Sequence, residues 1–183
     1  IIGCDLSQFE EDKAQEIANL VSKNYKCLDA LINNASILKK ISSINDYDLK
    51  SWKKVLNVNL TSAFLLSKYL MPLMMDSKLP RIIFTSSGVA NKGKAYWGAY
   101  SVSKAGIKNL SEILSDELNS LTNFKVFNFN PKETRTEMRA LAYPAENPSS
   151  VKAPDELINY YLWMLSERST SSSKSHINFG DEI

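Results

Sequence analysis

Tyr100 and Lys104 stand four residues apart in the run Tyr-Ser-Val-Ser-Lys. If that run is helical, both side chains lie on one face, one turn apart. A free phenol has a pKa near 10, too high for an efficient base near neutrality. Lowering it by about 3 units takes roughly 4 kcal/mol of preference for the phenolate. One positive charge at about 4 Å in an effective dielectric of about 20 is of that order. The pair is therefore a physically sensible acid/base couple. Spacing alone carries little weight, because the chain has eight tyrosines and many lysines. The bland reading is a half-buried tyrosine beside a solvated lysine. Ser87 lies thirteen residues before Tyr100, where its hydroxyl could bond a substrate oxygen. Its ordinary reading is a strand end entering a turn at Thr85-Ser86-Ser87-Gly88. Asn59, in Asn57-Val58-Asn59-Leu60, falls within a long helical pattern. A mid-helix asparagine is mildly unfavourable, which suits a polar duty or an idle exposed side chain.

The elements that must position these groups alternate along the chain. Ile1 to Cys4 is a short apolar run ending at Asp5. Phe9 to Lys23 carries Phe9, Ile17, Leu20 and Val21 at roughly helical spacing, with acids first and Lys23 last, as the helix dipole favours. Leu28 to Ile32 reads as a buried strand stopped by Asn33-Asn34. Trp52 to Met71 reads as a long helix ended by Pro72. Arg81 to Ser87 reads as a strand and Gly98 to Leu121 as a second long helix. Phe124 to Asn130 alternates apolar and polar residues up to Pro131. A loop with a short helical turn near Met138 runs to about Ala153, then a helix from Pro154 to Leu165, then a last strand over Ser175 to Phe179. This alternation predicts an α/β fold with helices on both faces of a parallel sheet. Ligands bind such sheets beyond the carboxyl ends of the strands. The polar clusters Asp5, Asn33-Asn34, Thr85-Ser86-Ser87 and Asn130-Pro131 fall at those ends.

Bulk properties narrow the class. The 183 residues suit one domain, 1–183, and 44% hydrophobic with 23% charged residues reads as soluble and globular. A net charge of +2 without long like-charge blocks gives no support for nucleic-acid or membrane-surface binding. The apolar stretch Ala63 to Met75 is too short and too interrupted to span a bilayer. Cys4 and Cys27 sit beside apolar runs and read as reduced, buried thiols of a cytoplasmic protein. With His176 as the one histidine, no Cys/His metal site can be assembled.

Five motifs then occur in order: Asn33-Asn34-Ala35, Asn57-Val58-Asn59-Leu60, Thr85-Ser86-Ser87, Tyr100-Ser101-Val102-Ser103-Lys104, and Pro131 followed by Thr136. In order and spacing they resemble the classical short-chain dehydrogenase/reductase family, of bacterial type, over nearly the whole chain. The resemblance implies a Rossmann-like doubly wound parallel sheet. It also implies an NAD- or NADP-dependent oxidoreductase acting on a small-molecule carbonyl or alcohol, and a homodimer or homotetramer packed through the two long helices. By resemblance, Tyr100 matches the general acid/base. Lys104 matches the residue that depresses the tyrosine pKa and binds the nicotinamide ribose. Ser87 matches the substrate-orienting serine, and Asn59 the asparagine that holds a water in the proton relay to Lys104. Asp5 resembles the acid near the adenine ring, with Asn34 and Ala35 near the adenine ribose. Pro131, Thr134 and Thr136 resemble the loop holding the nicotinamide end.

The chain departs from the family pattern in three places. Ser36 stands where glycine usually follows Asn-Asn-Ala, and Lys132 where glycine usually follows Pro131. A lysine there is expected to crowd the nicotinamide or to impose a different loop shape, because glycine alone tolerates positive φ freely. No glycine-rich phosphate-binding turn occurs among the six glycines. Ile1 corresponds to the family's third strand, so the first two strands are absent and the sequence is expected to be N-terminally truncated. Residues of the Thr136 to Ala153 loop, Met138, Leu141 and Tyr143, are expected to line the substrate pocket. Two rivals remain. One is a non-catalytic scaffold or regulatory protein of the same fold. The other is a serine hydrolase using Ser86 or Ser87, which lacks a Gly-x-Ser-x-Gly elbow and has only His176 to serve it.

Overall fold

The computed structural model of the chain describes every residue except Asn119 and Thr122. Four parallel strands pair in sequence order: β1 (Ala30–Asn33), β2 (Arg81–Thr85), β3 (Lys125–Asn130) and β4 (His176–Asn178). Ile32 pairs with Ile83, Ile83 with Phe127, and Phe129 with Ile177. Alternation along β2 sends Ile82 and Phe84 to one face and Ile83 to the other. The first face is covered by helices α3 (Ser62–Leu70) and α4 (Gly98–Glu117), whose Ala63, Ile107 and Leu114 pack against Ile82, Phe84 and Val126. The second is covered by helix α6 (Ile158–Leu165), whose Met164 packs with Ile83, Phe127, Phe129 and Ile177. Helix α1 (Glu11–Asn24) lies outside the first layer, with Phe9 and Ala14 packed on Leu65. The expected doubly wound α/β sheet is present.

The helix expected over Trp52–Met71 is one rod in three parts. Helix α2 (Leu49–Leu56), capped by the Asp48 carboxylate on Ser51 N–H, runs into a π-helical turn at Asn57–Thr61 and on into α3. The extension of α4 to Leu121 passes through Asn119, outside the described residues. The short helical turn expected near Met138 is helix α5 (Glu137–Ala142).

Several expectations need correction. Ile1–Asp5 forms no strand and is exposed throughout, because an extended segment has no hydrogen bonds without a paired neighbour. β1 is an edge strand rather than a buried one, and Ile32 is 41% exposed. β3 is buried continuously from Val126 to Phe129 instead of alternating, since helices cover both of its faces. The packed positions of α1 are Ala14 and Ala18, and Leu20 faces solvent. Cys4 is exposed and Cys27 half-buried, both as free thiols, so neither is a core residue. No helix among the described residues is long and apolar enough to cross a membrane.

Arg81 opens β2 with 0% exposure. Its guanidinium donates to the carbonyls of Pro80, Asn123, Met164 and Ser166 and to the Thr170 hydroxyl, at 2.6–3.4 Å. One side chain thus ties the amino ends of β2 and β3 to the end of α6, the pole of the sheet away from the polar clusters. Removing it leaves several buried carbonyls unpaired, each costing about 1–3 kcal/mol before the backbone relaxes. Arg81→Met is expected to lower unfolding stability by about 3 kcal/mol. Urea denaturation curves matching those of the unchanged chain would contradict this role.

Candidate active site

The loops after β2 and β3 part company at the carboxyl ends of the strands. The first turns toward α4 on one face and the second toward α5 and α6 on the other. Such a divergence opens a crevice. A pocket of about 1000 Å³ lies there, bordered by Asn34, Ala35 and Ser36 after β1, Ser86 and Ser87 after β2, and Pro131 to Thr134 after β3. Thr136, Met138, Tyr143 and Tyr161 complete part of its wall. A second cavity of about 60 Å³ shares Asn34, Ala35 and Thr85 with it and is bordered also by Asn59 and Lys104.

Tyr100 and Lys104 project from the first turns of α4. That helix begins at Gly98, where φ is +22° and a Cβ would meet the Tyr47 ring at 2.9 Å, so glycine is required. Ser101 Oγ donates to the Val89 carbonyl, tying the helix to the turn that follows Ser87. Tyr100 is 7% exposed. Burial pushes its phenol above the ordinary value, opposite to the lowering expected from a lysine one turn away, and the neighbouring Ser87 hydroxyl offsets part of the rise. Ser87 is on the pocket wall, and Tyr100 stands behind Ser87 and Trp97, outside the lining of both cavities. Lys104 is 3% exposed, and its ammonium donates to the Thr85 carbonyl at 2.7 Å. It lies 5.7 Å from the centroid of the Tyr100 ring. Burial lowers its pKa to about 8.

Asn59 is presented by the π-helical turn and is 3% exposed. Its Oδ1 accepts from Ile37 N–H at 2.8 Å, and its Nδ2 donates to the Ile37 carbonyl at 2.9 Å and to Ser103 Oγ at 3.0 Å. Ser103 Oγ in turn donates to the Tyr100 carbonyl at 2.7 Å. Asn59 therefore clamps the segment after β1 to the backbone of α4. Ser103 was not singled out from sequence. Its place three residues after Tyr100, on the buried side of the helix, was the available signal.

The remaining assigned residues divide. Asn34 Oδ1 accepts from the Thr85 hydroxyl at 3.0 Å. Thr134 Oγ1 bonds the Pro131 and Lys132 carbonyls, and Thr136 caps α5 through Arg139 N–H. Lys132 adopts φ +54°, with its N–H on Asn130 Oδ1. The loop keeps the backbone shape a glycine would give, at a strain of roughly 1–2 kcal/mol. Asp5 lies outside both cavities, exposed, its carboxylate bonded to Ser7 N–H and Oγ. Leu141, expected in the pocket, is 75% exposed, because it occupies the outer face of α5. Met138 and Tyr143 do line it, as do Trp97 and Lys94, which sequence reasoning missed. His176 stands at the amino end of β4 on Glu112, so no described histidine reaches Ser86 or Ser87. That removes the hydrolase reading. No described cluster of three His, Cys, Asp or Glu side chains is placed to hold a metal.

Residues 1–147 match the model of the short chain dehydrogenase family. The chain belongs to that family. An uncharacterized oxidoreductase of Escherichia coli K12, YciK, is 34% identical over 165 residues, 90% of this chain and 65% of that protein. A short chain dehydrogenase from Shigella flexneri, solved with NADP, superposes with a TM-score of 0.92 at 31% identity, covering 97% of this chain and 74% of that one. One from E. coli CFT073, solved with NADPH, gives 0.91 at 32%, covering 96% and 72%. The chain spans less than two thirds of the length of the curated relatives it matches. The sheet and its flanking helices are thus the Rossmann-like core of a short chain dehydrogenase.

The depressed pKa of Lys104 has a consequence for stability. Folded, it titrates near pH 8, against an ordinary lysine value of 10.5. Between those values the unfolded chain binds more protons, so stability rises with pH. The burial penalty is fully present below about pH 8 and is relieved toward pH 10.5, amounting to about 3 kcal/mol in all. The stability of the unchanged chain relative to Lys104→Met should therefore climb between pH 8 and 10 in urea titrations. Parallel pH curves for the two proteins would refute the buried, depressed amine.

Proposed function

We propose that the chain carries the catalytic centre of an NAD(P)-dependent oxidoreductase that interconverts a carbonyl and an alcohol. The observation that carries this reading is the convergence of Tyr100, Ser87 and Lys104 at the carboxyl ends of β2 and β3. The donor set fits the nicotinamide and ribose half of a dinucleotide. Ser36 Oγ is buried without a hydrogen-bond partner at the pocket wall. Thr134 and Thr136 add hydroxyl groups, and Pro131 offers apolar surface for a flat ring. The solved relatives that carry NADP and NADPH favour the phosphorylated form. No glycine-rich phosphate turn occurs in these 183 residues; of the groups assigned to the adenine end, Asn34 and Ala35 border the pocket and Asp5 lies outside it.

When bound, the nicotinamide supplies hydride to the carbonyl carbon or takes it back from the alcohol. Ser87 holds the substrate oxygen, and Tyr100 transfers its phenolic proton to that oxygen. Burial keeps the phenol protonated in wait, which suits a proton donor. The Lys104 ammonium stabilises the phenolate left behind. Asn59 and Lys104 border the same small cavity, which is large enough for one or two waters. A water there would return a proton toward Tyr100. Phe64, Val102 and Ile113 on α3 and α4 are 45–48% exposed and supply an apolar surface for homodimer or homotetramer packing. Leu65, Ile107 and Leu114 are buried within the chain and are not available for it.

General acid catalysis contributes about 10²–10⁴-fold. Tyr100→Phe removes only the hydroxyl, so NADPH-dependent aldehyde reduction should fall about 100-fold or more while the circular dichroism spectrum and melting temperature hold. Turnover within a few-fold of the unchanged chain would remove Tyr100 from the reaction.

A further inference from the structure

Beyond Ser87 the pocket wall changes character. Trp97 lies edge-on to Tyr100, with ring centroids 5.6 Å apart, and Met138, Ala142 and Leu38 extend the apolar lining. At the far side of Trp97 stands Lys94. Its ammonium donates to the Tyr143 hydroxyl at 2.6 Å and lies 5.2 Å from the Trp97 ring and 5.1 Å from the Tyr143 ring. Its backbone is fixed in the turn that opens α4, since the Lys94 carbonyl accepts from Trp97 N–H. Arg139 stacks on Tyr143, its guanidinium carbon 3.8 Å from the ring centroid. The fate of the two cations differs. Arg139 is matched by a bidentate ion pair with Glu146, whereas Lys94 has no carboxylate within ion-pair distance among the described residues. The neighbouring charged group on its own turn is Lys92, another cation. The pocket's own carboxylates, Glu133 and Asp155, belong to the segments after β3 and before α6, where Glu133 acts on Lys152.

A lysine whose ammonium is held by the Tyr143 hydroxyl and lies near the Trp97 ring has lost part of its rotamer freedom before any ligand arrives. An anion meeting it therefore forfeits less ordering entropy than at a free surface lysine. Its charge faces a pocket whose intervening wall is an indole. We propose that the carbonyl substrate carries a carboxylate on an aromatic or apolar body, with the body lying along Trp97 and the carboxylate received by Lys94. Lys94 is then a specificity-determining residue, one aromatic ring removed from the proton donor. The inference rests on the proposed carbonyl site at Ser87 and Tyr100 for where the other end of the substrate lies.

Binding and turnover test the two readings separately. The probes are 4-carboxybenzaldehyde and its methyl ester, equal in aromatic body and in carbonyl. Affinity is measured by ligand-detected NMR titration of the 183-residue chain, and turnover as NADPH-dependent alcohol formation. The acid should bind about 5-fold or more tightly than the ester, with the preference falling as salt rises. In Lys94→Met the two should bind within twofold of each other, while Lys132→Met should keep the preference. Both variants are checked for an unchanged melting temperature. Equal binding of acid and ester by the unchanged chain overturns the inference. So does a preference that survives Lys94→Met, or one abolished by Lys132→Met instead. A Lys94-dependent preference without any alcohol formed, in protein shown by the same titration to bind NADPH, upholds the anion site and overturns the oxidoreductase reading.

Discussion

Lys104 is a primary amine kept 3% exposed, with a backbone carbonyl, that of Thr85, as its hydrogen-bond acceptor. An ammonium in that position carries a desolvation penalty that its single neutral partner only partly offsets, and its pKa falls to about 8 in consequence. Everything around it serves to hold α4 against the end of β2 despite that penalty. Gly98 allows the helix to start beneath the Tyr47 ring. Gly106 allows close approach to Leu60, where a Cβ would come within 2.7 Å of the leucine methyl. The π-helical turn carries Asn59 into the same interface, where its amide bonds two elements at once. A widened turn of this kind is rare and tends to mark functional positions.

The sheet contributes a pocket through topology rather than through any one residue. Covering helices lie on one face up to β3 and on the other after it, so the chain leaves adjacent strand ends in opposite directions. Arg81 fixes the opposite pole, where the same strands begin. The crevice therefore sits on a frame secured at its far end, and its walls are loops free to differ in chemistry. Here one wall offers amides and hydroxyls and the other an indole, a phenol and a cation with no carboxylate partner among the described residues.

What was legible in the sequence was what depends on short range. Tyr100 and Lys104 share a helical turn, and Ser87 ends a strand, so spacing placed them before any tertiary contact was considered. The alternation of elements gave the doubly wound sheet, and the polar clusters marked its carboxyl end. Tertiary facts were misread or unseen. Cys4 and Cys27 sit beside apolar runs along the chain, but in space one is exposed and the other half-buried. Leu141 and Met138 share a short helix, and only the packing of α5 decides which of them faces inward. Lys94, Tyr143 and Arg139 meet because a loop after β3 folds back toward the turn before α4, and no periodicity encodes that meeting. Lys132 stands at a position where the family usually has glycine. The structure shows the positive φ retained rather than the loop rerouted.

In the proposed reaction Tyr100 gives a proton to a carbonyl oxygen while the carbon beside it receives hydride. Incubating the chain with NADPH deuterated at the transferable position of the nicotinamide ring, together with 4-carboxybenzaldehyde, tests it most directly. The unchanged chain should yield benzylic alcohol carrying one deuterium, and Tyr100→Phe little or none under the same conditions. Unlabelled alcohol, no alcohol from the unchanged chain at saturating cofactor, or equal labelled product from both proteins would contradict it.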